Sequence, residues 1–348
     1  MECCPSGLRS MIGNHVYGLI PVSRVQIPHT PYQESVSIGL TGFFFLMDVM
    51  GEEFVRLKKI IVALSLLLLT GVLTACSTKK EENTNKHKVD IVTSTNIYAN
   101  IAKNIIGKYG VVEAVINNGD IDPHDFEPTS DSAKKVATAN VVIANGLGYD
   151  SWMNNLASAN DIHVTKVGEQ LLHLKQGDNP HIWYNLNMPT KYVNYLVKKA
   201  SKIDPKHATY FRKNAVKYLT KIDRIKKLAQ KIDGQKQKPV YVSEPVFDYA
   251  LQACRFKIGN PAFEEAVENE TDPSPRVIHE MQTNLKKQKV SFFINNVQAS
   301  SDTVNGMVKL AKKHHVPVLN VRETMPNGIS YSNWMFDNYQ KLFKISSK

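Results

Sequence analysis

Cysteine is scarce in this chain, with four in 348 residues. A scaffold held by disulfides is therefore excluded, because such folds need dense, paired cysteines in place of a core. Arginine is scarce too, 8 against 35 lysines. Nucleic-acid sites favour the bidentate arginine fork, so the net charge of +11 is a weak argument for a nucleic-acid partner. There is no low-complexity tract, no P-loop, no G-x-S-x-G elbow and no H-E-x-x-H string. His279-Glu280 begins the last of these, but position 283 is threonine. A metal-dependent hydrolase is thus the weakest functional alternative. What is present is ordinary: 43% hydrophobic and 22% charged residues, in a chain long enough for two domains.

The charge is unevenly placed. Residues 1–75 hold five basic and five acidic side chains, so the other 273 carry the whole +11. The lysines lie along amphipathic segments, which describes a solvated surface coat. A basic face could also serve a surface adhesin or interaction protein, the second functional alternative.

Residues 55–76 read VRLKKIIVALSLLLLTGVLTAC. A positive start, an apolar run shorter than a membrane span and a small-residue end make an export signal. Leu73-Thr74-Ala75-Cys76 resembles a bacterial lipobox, which implies cleavage before Cys76 and lipid attachment to it. Such a signal belongs at the start of a protein. Residues 1–54 are therefore read as an over-extended gene model, 55–75 as the lipoprotein signal peptide and 76–88 as a polar, lipidated tether. Cys254, on an apolar helix face with Ala250 and Leu251, reads as a small core residue.

From residue 88 onward strands and helices alternate. Strands are expected at 89–93, 111–116, 141–144 and near Val164, with helices at 97–106, closed by Gly107, and 130–139, capped by Thr129 or Ser130. A second set has strands at 240–242, 290–294 and 316–321 and helices at 274–288 and 301–314. Between them Phe211, Ala215, Tyr218, Ile222, Ile225, Ala229 and Ile232 follow a 4-3-4-3-4-3 spacing. That makes one apolar seam on a helix of about seven turns. The fold class is α/β: two lobes, each a mostly parallel sheet flanked by helices, joined by one long helix. The expected limits are 89–205, 206–236 for the helix, and 237–348.

In parallel sheets, ligands bind beyond the carboxyl ends of the strands. Four metal-competent residues fall there: His124 in Asp122-Pro123-His124, His181 in Asn179-Pro180-His181, Glu244 after 240–242, and Glu323 after 316–321. Proline before each histidine restricts the backbone and lowers the ordering cost of a ligand loop. Asp125 and Glu127 could orient His124, although a solvated Asp125 is the simpler reading. Trp183 reads as core packing. The remaining histidines carry no motif, and His314-His315 ends a lysine-rich helix, where a cation suits the helix dipole.

The segments DPHDFEPT, NPHIW, VSEPVFDY and VRETMP, together with the lipobox, resemble the manganese/zinc-binding lipoproteins of bacterial ABC importers, from residue 55 to the end. The resemblance implies a non-enzymatic, periplasmic-binding-protein-like fold of the metal-binding type. It implies one divalent ion, Zn²⁺ or Mn²⁺, held between the lobes by His124, His181, Glu244 and Glu323. It further implies a monomer anchored by lipid on the extracellular face of the cell membrane, with an ABC permease as partner and no nucleic acid. Glu at 244 is the manganese-type choice in that family, and Glu323 stands where relatives often carry Asp. The loop 168–178 contains only His173, so the His-rich loop of many zinc-type members is missing.

Overall fold

A central strand rich in β-branched residues organises the first sheet: β1, Val89–Thr95, is buried at six of seven positions. The computed structural model describes residues 89–121, 126–299 and 301–347. His124, Asp125, Cys76 and the spans expected as gene-model extension (1–54), signal peptide (55–75) and tether (76–88) lie outside the described residues. The described residues belong to one compact unit, Asn83–Lys348.

β1 pairs in parallel with β2, Gly110–Ile116, and with β3, Val141–Ala144, while β3 pairs with β4, Val164–Lys166. The strand order is β2-β1-β3-β4, with helices between successive parallel strands. The first crossover is α1, Asn96–Ile106, which buries one apolar face and stops at Gly107 with φ +56°. Only glycine adopts that angle readily, and a side chain there would also strike Tyr210. The helix α2, Ser130–Thr138, is capped by Thr129 in a reciprocal capping box with Ser132. A short α3, Trp152–Ser158, follows β3.

The second sheet is parallel with order β5-β6-β7: Tyr241–Val242, Phe293–Asn296 and Val318–Val321. The last two strands begin later than the sequence expectation. Pro317 has no N–H to add to a ladder, and its carbonyl accepts from Phe293 N at 2.8 Å, which sets where β6 begins. Helices α6, Asp248–Ala253, α7, Pro261–Glu268, α8, Pro275–Lys286, and α9, Asp302–Lys313, surround this sheet. Ser274 and Ser301 cap α8 and α9 through their hydroxyls.

The joining helix α5 is Ala208–Ala229, shorter than the span 206–236 expected from its seam. Residues Pro205–His207 form a 3₁₀ turn before it. Ile232 lies beyond its end yet is 3% exposed, so all seven seam residues are buried. The longest helices beyond the sequence expectation are α4, Met188–Ile203, and α10, Tyr331–Ser346. Both pack on α5, as does α1. Each sheet therefore has its own outer core, around Val136, Val142 and Met153 in one lobe and Phe263, Leu285 and Met307 in the other. The inner faces share one continuous core that runs from Ile91 through Phe211 and Val242 to Leu342. Cys254 is in that core as expected, its thiol pushed up to about 12 by burial. Among the described residues no helix is long and apolar enough to cross a membrane.

Candidate metal centre

The carboxyl ends of both sheets face one seam between the lobes, and polar loops close it. Gly119, just past β2, donates its N–H to Asn327 Oδ1 at 3.1 Å, and its carbonyl accepts from Arg322 and Thr324. A Cβ on Gly119 would come within 2.0 Å of the Met325 carbonyl, so the two loops can meet only because residue 119 is glycine. Tyr184 OH donates to the Arg322 carbonyl at 2.7 Å, and Tyr331 OH to the Trp183 carbonyl at 2.6 Å.

His181 lies within this seam and is fully buried. Its loop is built on amide side chains. Asn179 Oδ1 accepts from the His181 backbone N–H at 2.9 Å and lies 2.8 Å from Nδ1. Asn179 Nδ2 donates to the Pro245 carbonyl at 2.7 Å, which fixes Oδ1 as the acceptor facing the histidine. Nδ1 must then carry the proton in the neutral ring, and the lone pair is on Nε2, the arrangement that suits a metal ligand. Asn145, just past β3, donates to the Pro180 carbonyl at 3.0 Å and so holds the same loop to the first sheet. Asn145 is itself set by Asp150, whose carboxylate accepts from the backbone N–H groups of Asn145 and Gly146. Burial raises the Asp150 pKa, and those hydrogen bonds oppose the rise.

Glu323 Oε1 lies 4.0 Å from His181 Nε2. Two ligand atoms on one tetrahedral ion, at about 2.1 Å each, stand about 3.4 Å apart. The pair is thus within a small inward shift of sharing an ion. Tyr149 OH donates to the same Oε1 at 2.9 Å, and the tyrosine ring is packed between Trp183, 5.1 Å away, and His181, 6.3 Å away. Gln298 Oε1 accepts from the backbone N–H groups of Glu323 and Thr324 at 3.0 and 3.1 Å. Glu244 follows β5 directly, is 7% exposed, and accepts from Asn296 Nδ2 at Oε1. Glu244 and Glu323 line one cleft of about 410 Å³ with Gln298, Glu268, Glu270 and Asp272.

The structure thus brings His181 and Glu323 together from opposite lobes and puts Glu244 on the same cleft as Glu323. Among the described residues no three His, Cys, Asp or Glu side chains converge closely enough to hold an ion. The donor types present, one oriented imidazole and two carboxylates, suit a divalent transition metal. Trp183 is core packing, as expected. His207, which carries no motif, stacks on Tyr109 and pairs with Asp204 at 2.6 Å, far from this chemistry in role. Tyr149, Asn179, Asn296 and Gln298 are not ligand types and do not stand out in the sequence as site residues. A scan of strand ends for amides and hydroxyls, rather than for ligand types alone, would have found three of them. Asn179 stood inside the Asn-Pro-His motif already.

Residues 91–345 match the family of the zinc-uptake complex component A, periplasmic (ZnuA). The manganese ABC transporter substrate-binding lipoprotein PsaA of Streptococcus pneumoniae serotype 4 is 26% identical over 313 residues, covering 82% of this chain and 98% of PsaA. The substrate-binding protein FpvC of Pseudomonas aeruginosa, solved with Mn²⁺, superposes with a TM-score of 0.62 at 19% identity, covering 74% of this chain and 98% of FpvC. A mutant of the laminin-binding adhesin Lmb of Streptococcus agalactiae superposes with a TM-score of 0.60 at 19% identity, over 74% of this chain and 99% of Lmb. With a family match across most of its length, and with both lobes and the joining helix in place, the chain belongs to the ZnuA family of zinc-uptake components, which are binding proteins and not enzymes.

Proposed function

We propose that the protein captures one Zn²⁺ or Mn²⁺ ion between its lobes, outside the cell, and delivers it to an ABC permease in the cytoplasmic membrane. The observation that carries this reading is the meeting of a buried, tautomer-fixed imidazole and a carboxylate from opposite lobes, His181 and Glu323 at 4.0 Å. The proposed ligands are His124, His181, Glu244 and Glu323, and the metal is cargo. Because the lobes contribute different ligands, an ion bridging them is held only while both stay in place. Separating the lobes at the permease removes part of the ligand set at once. The ligands must be deprotonated to bind, so affinity falls as pH drops through the histidine range. Lipid on Cys76 would keep a monomer at the extracellular face of the membrane, with residues 76–88 as the tether between lipid and lobes.

Thermal unfolding of the chelator-stripped protein, titrated with Zn²⁺ and with Mn²⁺, tests this. Saturation at a hundredfold excess over Kd should add about 2.7 kcal/mol of stability. His181→Ala should lose most of that gain. Full metal-induced stabilisation in His181→Ala would refute the assigned centre.

A further inference from the structure

The helices α4 and α5 lie antiparallel. The 3₁₀ turn Pro205–His207 joins them at one end, and Lys226 Nζ donates to Thr190 Oγ1 at 3.1 Å near the other. Together they hold eleven Lys or Arg and one acid, Asp223. That excess of ten is nearly the whole net charge of +11. The charge is thus gathered on two neighbouring helices rather than spread over the surface. Lys191, Lys198 and Lys202 are exposed at helical spacing on α4, and Lys213, Lys217 and Lys221 on α5. Among the described residues none of the eleven cations forms an ion pair. Like charges a turn apart repel and weaken a helix slightly. An anionic partner removes that repulsion.

The cleft has the opposite character. Among the described residues its lining includes Glu244, Glu268, Glu270, Asp272 and Glu323, no Lys or Arg, and nothing from α4 or α5. Beside a negative surface such a molecule turns its basic helices inward and its cleft outward. The place of attachment favours the same pose. β1 begins at Val89, directly after the proposed tether 76–88, and its carboxyl end faces the seam. The tether therefore joins the lobe at the end of the sheet away from the cleft. Val89 pairs with Gly110, and Gly107 lies against Tyr210 in the first turn of α5. A tether of that length reaches roughly 20 Å, which keeps the start of α5 close to a bilayer. Val216 on α5 is 70% exposed among the lysines, and an apolar side chain is accepted at headgroup depth.

We infer, resting on the lipid-anchored reading, that the outer face of α4 and α5 is a docking surface for an anionic lipid bilayer, on which the anchored protein rests with its cleft turned away from the membrane. In that pose the cleft is open to ions outside the cell. The protein turns off the bilayer to present the cleft to a permease.

The test reads lysine acetylation, residue by residue, on the anchored protein in two kinds of vesicle. One is phosphatidylcholine alone, the other equal parts phosphatidylcholine and phosphatidylglycerol. On the anionic vesicles Lys198, Lys213, Lys217 and Lys221 should react about fivefold more slowly than on the neutral ones. Lys286, Lys312 and Lys313, exposed on α8 and α9, should react alike on both. High salt should remove the difference. The triple variant Lys213→Gln, Lys217→Gln, Lys221→Gln should lose the protection of Lys198 and Lys202. The control Lys286→Gln, Lys312→Gln, Lys313→Gln has the same net charge and should keep it. All six substituted positions are exposed, and the unfolding midpoint shows that both variants are folded.

Equal labelling of the α4 and α5 lysines on both vesicles overturns the inference. So does an equal loss of protection in the control variant, which would assign the effect to net charge alone. Protection by inorganic polyphosphate with none by vesicles overturns it in favour of a soluble polyanion. If the protein does not float with neutral vesicles, the lipid-anchor reading fails by itself. Flotation with the anionic vesicles alone, lost in the first variant and kept in the control, would still uphold the docking face. Flotation with neither kind of vesicle overturns both.

Discussion

In the second lobe Glu244 stands two residues past β5 and Glu323 two past β7, each with its strand behind it. In the first lobe His181 is carried on a loop well past β4, tied back to β3 by Asn145 and to the other lobe by Asn179. The carboxylates are thus positioned by the sheet, and the imidazole is positioned by amides. A strand end fixes a side chain through its backbone ladder. A loop must be fixed through hydrogen bonds that satisfy its own peptide groups. The first arrangement should survive the loss of a single polar contact. The second should not, and it hands part of the control of His181 to the opposite lobe, through the Pro245 carbonyl.

The largest expected effect comes from forcing the two halves of the seam apart. Gly119→Ala places a methyl group against the Met325 backbone, where no side-chain rotation relieves the clash. Denaturant unfolding should show a loss of about 3 kcal/mol. A loss below about 0.5 kcal/mol would mean that the loops yield easily and that the seam is not a fixed contact.

Asn179→Ala tests the loop side of the comparison. It removes the acceptor for the His181 backbone N–H and for Nδ1, and the donor to the Pro245 carbonyl. The expected cost is about 2 kcal/mol, with weaker metal binding than the stability loss alone explains. Gln298→Ala, which removes the clamp on the Glu323 backbone, should weaken metal binding less, because β7 still holds that residue. Equal effects in isothermal titration would erase the distinction between the lobes.

The smallest effect separates the site carboxylates from the structural acids of the second lobe. Glu264 is buried in α7, and burial, with Asp248, Glu265 and Glu268 nearby, raises its pKa to about 9. Asp248 is raised to about 7, by burial and then by Glu268. A carboxyl whose folded pKa is raised contributes stability below its unfolded pKa and loses it as pH rises through the folded value. Stability should therefore decline between about pH 5 and pH 9. Glu264→Gln should flatten that decline and raise the unfolding midpoint at pH 8 by roughly 2–4 °C, leaving metal affinity unchanged. An unaltered pH profile in the variant would remove Glu264 from the account.

The joining helix shows how far periodicity reaches. Its seven seam residues are all buried, yet the helix stops at Ala229 and Ile232 is covered from a turn. Spacing reports which side faces the core, and the backbone hydrogen bonds decide where the helix ends. The second sheet shows the opposite error, where apolar Val290 and Val316 join the core without joining a strand. Burial and ladder pairing are separate requirements, and hydrophobicity reports only the first.

By itself the sequence determined the alternation of strands and helices, the apolar seam of α5, a capping residue at the start of α2, and three residues that the fold brings to one seam. These are local matters of period, capping and strand ends, settled within a few residues. Tertiary structure alone decided that α4 and α10 would complete a shared inner core, that the Asn179 amide would donate to the Pro245 carbonyl of the other lobe, and that Tyr149 of one lobe would grip Glu323 of the other. Those contacts join residues far apart in the chain, whose pairing depends on geometry that no local spacing records.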